Sequence, residues 1–174
     1  ASDTENDNLA IGYEAMTTNT AGGVYNIAVG NYSLDALTSG DGNVGVGMET
    51  LSATNTGRYN TAVGYRTLYT NTTGTTNVAV GKESLYYNTT GDDNIALGNQ
   101  ALTSNTTGAS NTAIGTNALT ANTTADDNVA IGHNTLSANT TGTRNLAIGR
   151  GAYYGSDTEN DNLAIGYNAM TTNT

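Results

Sequence analysis

Apolar residues along this chain never form a long run. They return in short clusters at a fixed distance. The string Asn-x-Ala-(Ile/Val)-Gly occurs ten times, with small lapses such as Gly45 for Ala and Leu97 for Ile. Its glycine falls at Gly12, Gly30, Gly47, Gly64, Gly81, Gly98, Gly115, Gly132, Gly149 and Gly166; the first interval is 18 residues and every later one is 17. The Asn four residues before each glycine never varies. Four residues after it stands Leu, Met or Tyr, and ten after it another glycine is usual, with Ala125 and Glu159 as lapses. Apolar and polar positions alternate with period two in Asn-x-Ala-Ile-Gly, which predicts a short strand ended by the glycine. A second extended segment is expected around the small-Leu pair, as in Ala101-Leu102, and Asn-Thr-Thr-Gly then turns the chain. No stretch carries apolar residues at helical spacing.

Strand and turn recurring every 17 residues is the size of one coil of a parallel β-solenoid, so the expected fold class is all-β. Ten such coils stacked about 4.8 Å apart would reach roughly 48 Å. Stacking places identical positions above one another. The Asn column can then form an amide ladder, and like charges avoid adjacent coils: Asp92-Asp93 and Asp126-Asp127 are separated by Ala109-Ser110. On the strand, Ile/Val and the residue two before it share one face, and Ala occupies the other. The first face is expected to cover the coil interior. The Ala face is then left for close approach by another chain, an obligate oligomer; the competing arrangement is a narrow monomeric coil whose Ala fills a tight interior.

A longer repeat overlies the short one. Residues Ser2–Thr20 and Ser156–Thr174 are the same string except for Glu14 against Asn168. The whole of 1–174 therefore reads as a single repeat array, a segment expected to belong to a longer repetitive fibre.

Composition changes this picture in one respect. Leu, Ile, Val and Phe make up 27 of 174 residues, few enough with a net charge of −10 to suggest disorder had the register not been so regular. Five basic against fifteen acidic residues argue against nucleic acid as a partner. The short apolar clusters argue against membrane insertion in this segment. Without cysteine there is no disulfide framework.

The Asn-x-Ala-(Ile/Val)-Gly string resembles the head repeat of trimeric autotransporter adhesins, and the longer unit with Ala-Leu-x-x-Asn-Thr-Thr-Gly is similar to repeats of bacteriophage tail fibres and large bacterial surface proteins. The match spans all ten copies. The repeat here is longer than the adhesin repeat, the extra residues falling in the Asn-Thr-Thr turn. The resemblance implies a left-handed β-roll, a homotrimer that could continue into a filament, and an extracellular location on a cell or virion. It also implies a spacing or adhesive role, with a glycan or surface protein as receptor.

Reactive chemistry is sparse. The one histidine, His133, stands in a variable position beside no partner that the sequence can supply, so no catalytic residues, cofactor or metal ligands are assigned and no enzymatic activity is expected. The acidic strings Asp3–Asp7 and Asp157–Asp161 are read as solvated turns rather than cation sites. The five Asn-Thr-Thr triplets beginning at Asn71, Asn88, Asn105, Asn122 and Asn139 fit the glycosylation sequon, but their spacing reads as a structural turn. The variable positions one, two, five and six after each glycine are expected to face solvent. Tyr65, Tyr69, Tyr86 and Tyr87 gather there, and Tyr153-Tyr154 recur later, a candidate binding surface for glycans or proteins. Two rival functions follow from the same solenoid. One is ice binding through the stacked Thr-Thr pairs, whose adjacent threonines point to opposite faces of a strand. The other is glycan hydrolysis in the manner of a phage tailspike; Glu14, Glu49 and Glu83 share a variable exposed column and Asp92-Asp93 and Asp126-Asp127 lie at turns, none enclosed by aromatic walls that the sequence shows.

Overall fold

A computed structural model describes residues 7–18, 22–155 and 158–171. Among these, the strands are β1 (Leu9–Ile11), β2 (Ile27–Val29), β3 (Val44–Val46), β4 (Thr61–Val63) and β5 (Val78–Val80), followed by β6 (Ile95–Leu97), β7 (Thr112–Ile114), β8 (Val129–Ile131), β9 (Leu146–Ile148) and β10 (Leu163–Ile165). They form one parallel sheet in chain order, each strand pairing only with its sequence neighbours. Register follows the repeat position for position: Val78 pairs with Ile95, Ala79 with Ala96 and Val80 with Leu97, and likewise along the stack. The chain is a β-solenoid with 17-residue coils.

Two rows of buried asparagines run along the coil axis. In the first, each Asn of the repeat string takes the backbone N–H of its counterpart in the next coil on its Oδ1: Asn94 N–H donates to Asn77 at 3.0 Å and Asn111 N–H to Asn94 at 3.0 Å. In the second, the Asn of each Asn-Thr-Thr turn donates from Nδ2 to the Oδ1 of the one before, as Asn88 does to Asn71 and Asn105 to Asn88. In the five coils that carry both asparagines, the rows meet at one atom per coil. The Gly108 carbonyl accepts Nδ2 of Asn94 at 2.8 Å and Nδ2 of Asn105 at 2.9 Å, and Gly91 does the same for Asn77 and Asn88. Both amides are thereby satisfied where no water reaches, which burial of a polar side chain requires.

The two faces of the strand lie opposite to the sequence expectation. The Ala column points inward: Ala28, Ala62, Ala79, Ala96, Ala113, Ala130 and Ala147 are fully buried, packed with the Leu column. The Ile/Val columns point outward, with Val78, Val80 and Ile95 more than a third exposed. Coil width is the reason. At Gly45, which replaces Ala, an added Cβ would lie 2.6 Å from Ser33 Oγ and 2.9 Å from Thr50 Oγ1. The wall facing the strand is so close that a methyl group fills the gap and a branched side chain would not fit.

The second expected strand is also absent from the described residues. The six residues after each of the first nine repeat glycines form a turn instead. Within it, the positions two and four after the glycine are left-handed, for example Glu83 at φ 55° and Leu85 at φ 50°; the residue before each repeat Asn is left-handed as well, as at Asp93 with φ 56°. A leucine in this region is strained by about 1 kcal/mol. Its compensation is long-range: Glu83 N–H donates to the Tyr65 carbonyl of the preceding coil and Leu85 N–H to the Ala101 carbonyl of the following one. The invariant glycine answers a harder constraint. Gly98 has φ +145°, and a Cβ there would meet the Gly115 carbonyl carbon at 2.6 Å.

Replacing Asn94 by Ala should destabilise the chain by about 3 kcal/mol, because the Asn111 N–H is left buried without an acceptor. Asn99→Ala, on the exposed turn, should change stability by less than about 0.5 kcal/mol. Chemical denaturation followed by circular dichroism measures both.

Candidate functional site

With the strand, the two asparagine rows and the leucine column committed to stacking, sequence freedom lies in the turn after each repeat glycine and in the two residues before each repeat Asn, such as Arg58-Tyr59 and Asp92-Asp93. Positions one, two, five and six form a ridge along the coil axis. The concavities recorded on the surface lie on this ridge.

Tyr65, Tyr69, Tyr86 and Tyr87 are brought together on two successive coils. Tyr69 and Tyr86 stack with ring centroids 5.1 Å apart at 12°, and Tyr87 meets Tyr86 edge-on at 4.6 Å. Arg66 lies against this group, its guanidinium carbon 5.1 Å from the Tyr65 centroid and 5.6 Å from that of Tyr69. Its Nε donates to Glu49 one coil earlier at 2.5 Å, and this bond holds the guanidinium above its ordinary pKa. Glu83, one coil later, accepts from Gln100 at 2.9 Å. Burial raises the Tyr86 phenol above its usual range, with Arg66 opposing. Arg66, Glu83, Tyr86, Tyr87, Gln100 and Thr103 line a cleft of 240 Å³. Such a surface pairs flat aromatic area with fixed donors and acceptors, a combination suited to a polar ligand with an apolar face.

Tyr153 and Tyr154 part company. Tyr153 occupies the Leu column and is buried, so it contributes to the core and not to the ridge; Tyr154, the next residue, is half exposed. The sequence signal was available, since Tyr153 sits four residues after Gly149, where Leu stands in most coils.

The carboxylates are engaged structurally. Asp92 Oδ1 accepts the Thr75 N–H at 2.7 Å and Asp126 Oδ1 the Ala109 N–H at 2.7 Å, so each aspartate caps the coil before it. Asp126 therefore contacts the neutral residue that separates it from Asp92. Asp161 forms a two-point pair with Arg144, which lowers its pKa. Asp3, Glu5 and Asp157 lie outside the described residues. Among those described, no three His, Cys, Asp or Glu side chains converge as a metal site would require. Glu14, Glu49 and Glu83 do not gather: Glu49 and Glu83 share a column two coils apart, with Arg66 between them.

The Asn-Thr-Thr turns are structural, as their spacing indicated. Asn71, Asn88, Asn105, Asn122 and Asn139 are fully buried. Sequence reasoning did not foresee that they form a second ladder. The first threonine of each turn donates its hydroxyl to the next coil, as Thr89 does to the Thr106 carbonyl and Thr106 to that of Thr123. Only the second threonine of each pair is exposed. The pairs thus present a single hydroxyl column to solvent rather than a double one.

Neither a protein-family model nor a curated protein nor a solved structure matches the chain.

Asp35, beside Tyr32, Glu49, Ser52 and Tyr69 on the ridge, has one carboxylate oxygen buried without a hydrogen-bond partner. Burial raises its pKa, with the Ser52 hydroxyl and backbone N–H groups opposing and Glu14 adding to the rise. A carboxyl group that holds its proton more tightly when folded makes stability fall as pH climbs from the ordinary value of 3.8 through the raised one. Asp35→Asn should therefore raise the Tm at pH 7 and lose this advantage below about pH 3.8, where both side chains are neutral. Thermal melts at pH 3 and pH 7 compare the two.

Proposed function

We propose that this chain is a segment of an extracellular structural and adhesive fibre, a stiff solenoid rod that assembles as a homotrimer on a cell or virion surface and presents the tyrosine ridge to a glycan or protein receptor. The observation that carries this reading is the exposed apolar face of the sheet. Leu9, Ile11, Ile27, Val46, Val63, Val78, Val80, Ile95, Leu163 and Ile165 all leave a third or more of their surface to solvent. Parallel sheets are rarely left open on one face, and an apolar stripe of this length is more than a monomeric protein usually exposes. Two further chains using the same stripe would cover it. Interior width decides which column meets the partner: Val and Ile do so, and the Ala columns stay within each chain. Stiffness follows from identical stacking, since each coil is tied to both neighbours by strand, turn and asparagine bonds. The variable ridge then supplies recognition without disturbing the repeat.

Light scattering across a concentration series should return a constant mass of about three chains. Val80→Lys with Ile95→Lys places charge on the open face, and should yield monomers that keep the β-spectrum of the parent. A wild-type mass of one chain at every concentration would sink the trimer.

A further inference from the structure

Position two after the repeat glycine carries a side chain in nine of ten coils, among them Glu49, Arg66, Glu83, Asn134 and Asn168; in the ninth coil it is Gly151. Gly151 keeps the left-handed backbone of that column, at φ +66°, but leaves a gap in the ridge. A Cβ there would already reach within 2.3 Å of Asn168 Oδ1. The gap is the floor of a notch of 320 Å³ walled by His133, Arg150, Tyr154, Tyr167 and Asn168. Tyr154 and Tyr167 are both more than half exposed.

The charge of this notch is opposite to that of the chain. The protein carries −10 overall, yet among the described residues no carboxylate lines the notch. Of the five Lys and Arg residues, Arg58 pairs with Asp41, Arg66 with Glu49, Lys82 with Glu83 and Arg144 with Asp161. Arg150 is the one cation with no ion pair among the described residues. His133 stands in the same column one coil earlier and adds ring nitrogens at the same mouth. A guanidinium that shares its notch with two exposed phenol rings and a glycine floor matches a ligand with a planar anionic group on a compact body that has its own apolar face.

We propose that the notch over Gly151 binds an acidic sugar residue, a uronic acid or a sulfated hexose, with Arg150 taking the anionic group and Tyr154 and Tyr167 packing against the pyranose ring. This assignment rests on reading the ridge as the receptor surface and narrows it to one place and one charge class.

The test is a titration of the ¹⁵N-labelled chain with glucuronic acid, glucose and sodium sulfate at constant ionic strength. Glucuronic acid should give saturable amide shifts around Arg150, Gly151 and Tyr167, with an affinity about tenfold or more above that of glucose. Arg150→Gln should bring the two sugars to the same affinity. Gly151→Asn suits the left-handed backbone and restores the side chain that Asn134 and Asn168 carry in neighbouring coils, so its spectrum away from the notch should be unchanged while binding is lost. Equal binding of glucuronic acid and glucose by the wild type would overturn the anionic specificity and leave a sugar-binding ridge. Sulfate matching glucuronic acid in affinity would reduce the notch to a simple anion site and overturn sugar recognition. Unchanged binding in Gly151→Asn, or no binding of any probe, would remove the notch as a site. The mass of the assembly, taken on the same samples, reports on the fibre reading independently.

Discussion

A buried asparagine amide on the strand side of each coil ties this solenoid along its axis, and in five successive coils a turn asparagine joins it at one carbonyl. At Gly91 and Gly108, an asparagine from the strand side and another from the turn side donate to the same oxygen, while their own amide oxygens are taken by a neighbouring coil. Each coil is closed across its width and tied along the axis by the same few atoms. A buried amide left half satisfied would cost more than it returns. The turn asparagine is confined to the five coils from Asn71 to Asn139, with Leu37 and Thr54 in its column before them, whereas the strand-side asparagine stands in all ten coils and keeps the same 17-residue spacing from Asn26 onward.

Closing the coil at this width has a second consequence. The space between strand and turn admits the methyl of Ala96 on the strand side and the side chain of Leu102 on the turn side. Val and Ile, the residues best suited to a sheet, are turned outward. The hydrophobic surface that a wider solenoid would bury inside itself is thus left exposed. A core this thin and a sheet face this apolar are two aspects of one geometric constraint.

The same economy leaves the turn after the glycine free to vary. Its backbone is held by bonds to the coils on either side, so its side chains can be Tyr, Arg, Glu or Gly without altering the path. Tyrosines stack across coils at Tyr69 and Tyr86, and Gly151 opens a notch where the ridge would otherwise be continuous. The surface chemistry of such a scaffold is set by substitution along a ruler, with each coil contributing a few side chains at known spacing.

The period, the parallel stacking, the first asparagine ladder and the clustering of Tyr65, Tyr69, Tyr86 and Tyr87 were legible in the sequence, because stacking turns a linear repeat directly into columns. The burial of the Asn-Thr-Thr asparagines followed as a structural role, though not as a ladder, since a turn asparagine and a ladder asparagine look the same in one dimension. The direction of the strand faces was not legible: period two says that Ala and Ile oppose each other, but only the distance to the facing wall decides which is inside. Nor were the left-handed leucines at positions such as Leu85 and Leu102, because no leucine preference announces that backbone and the bonds that compensate it come from other coils. Tyr153 was misplaced by its chemistry and would have been placed by its column. Repetition alone determined what stacks on what, because identical neighbours must align; which side of each residue faces the interior was left to the width of the closed coil, a quantity that exists only once the chain has folded.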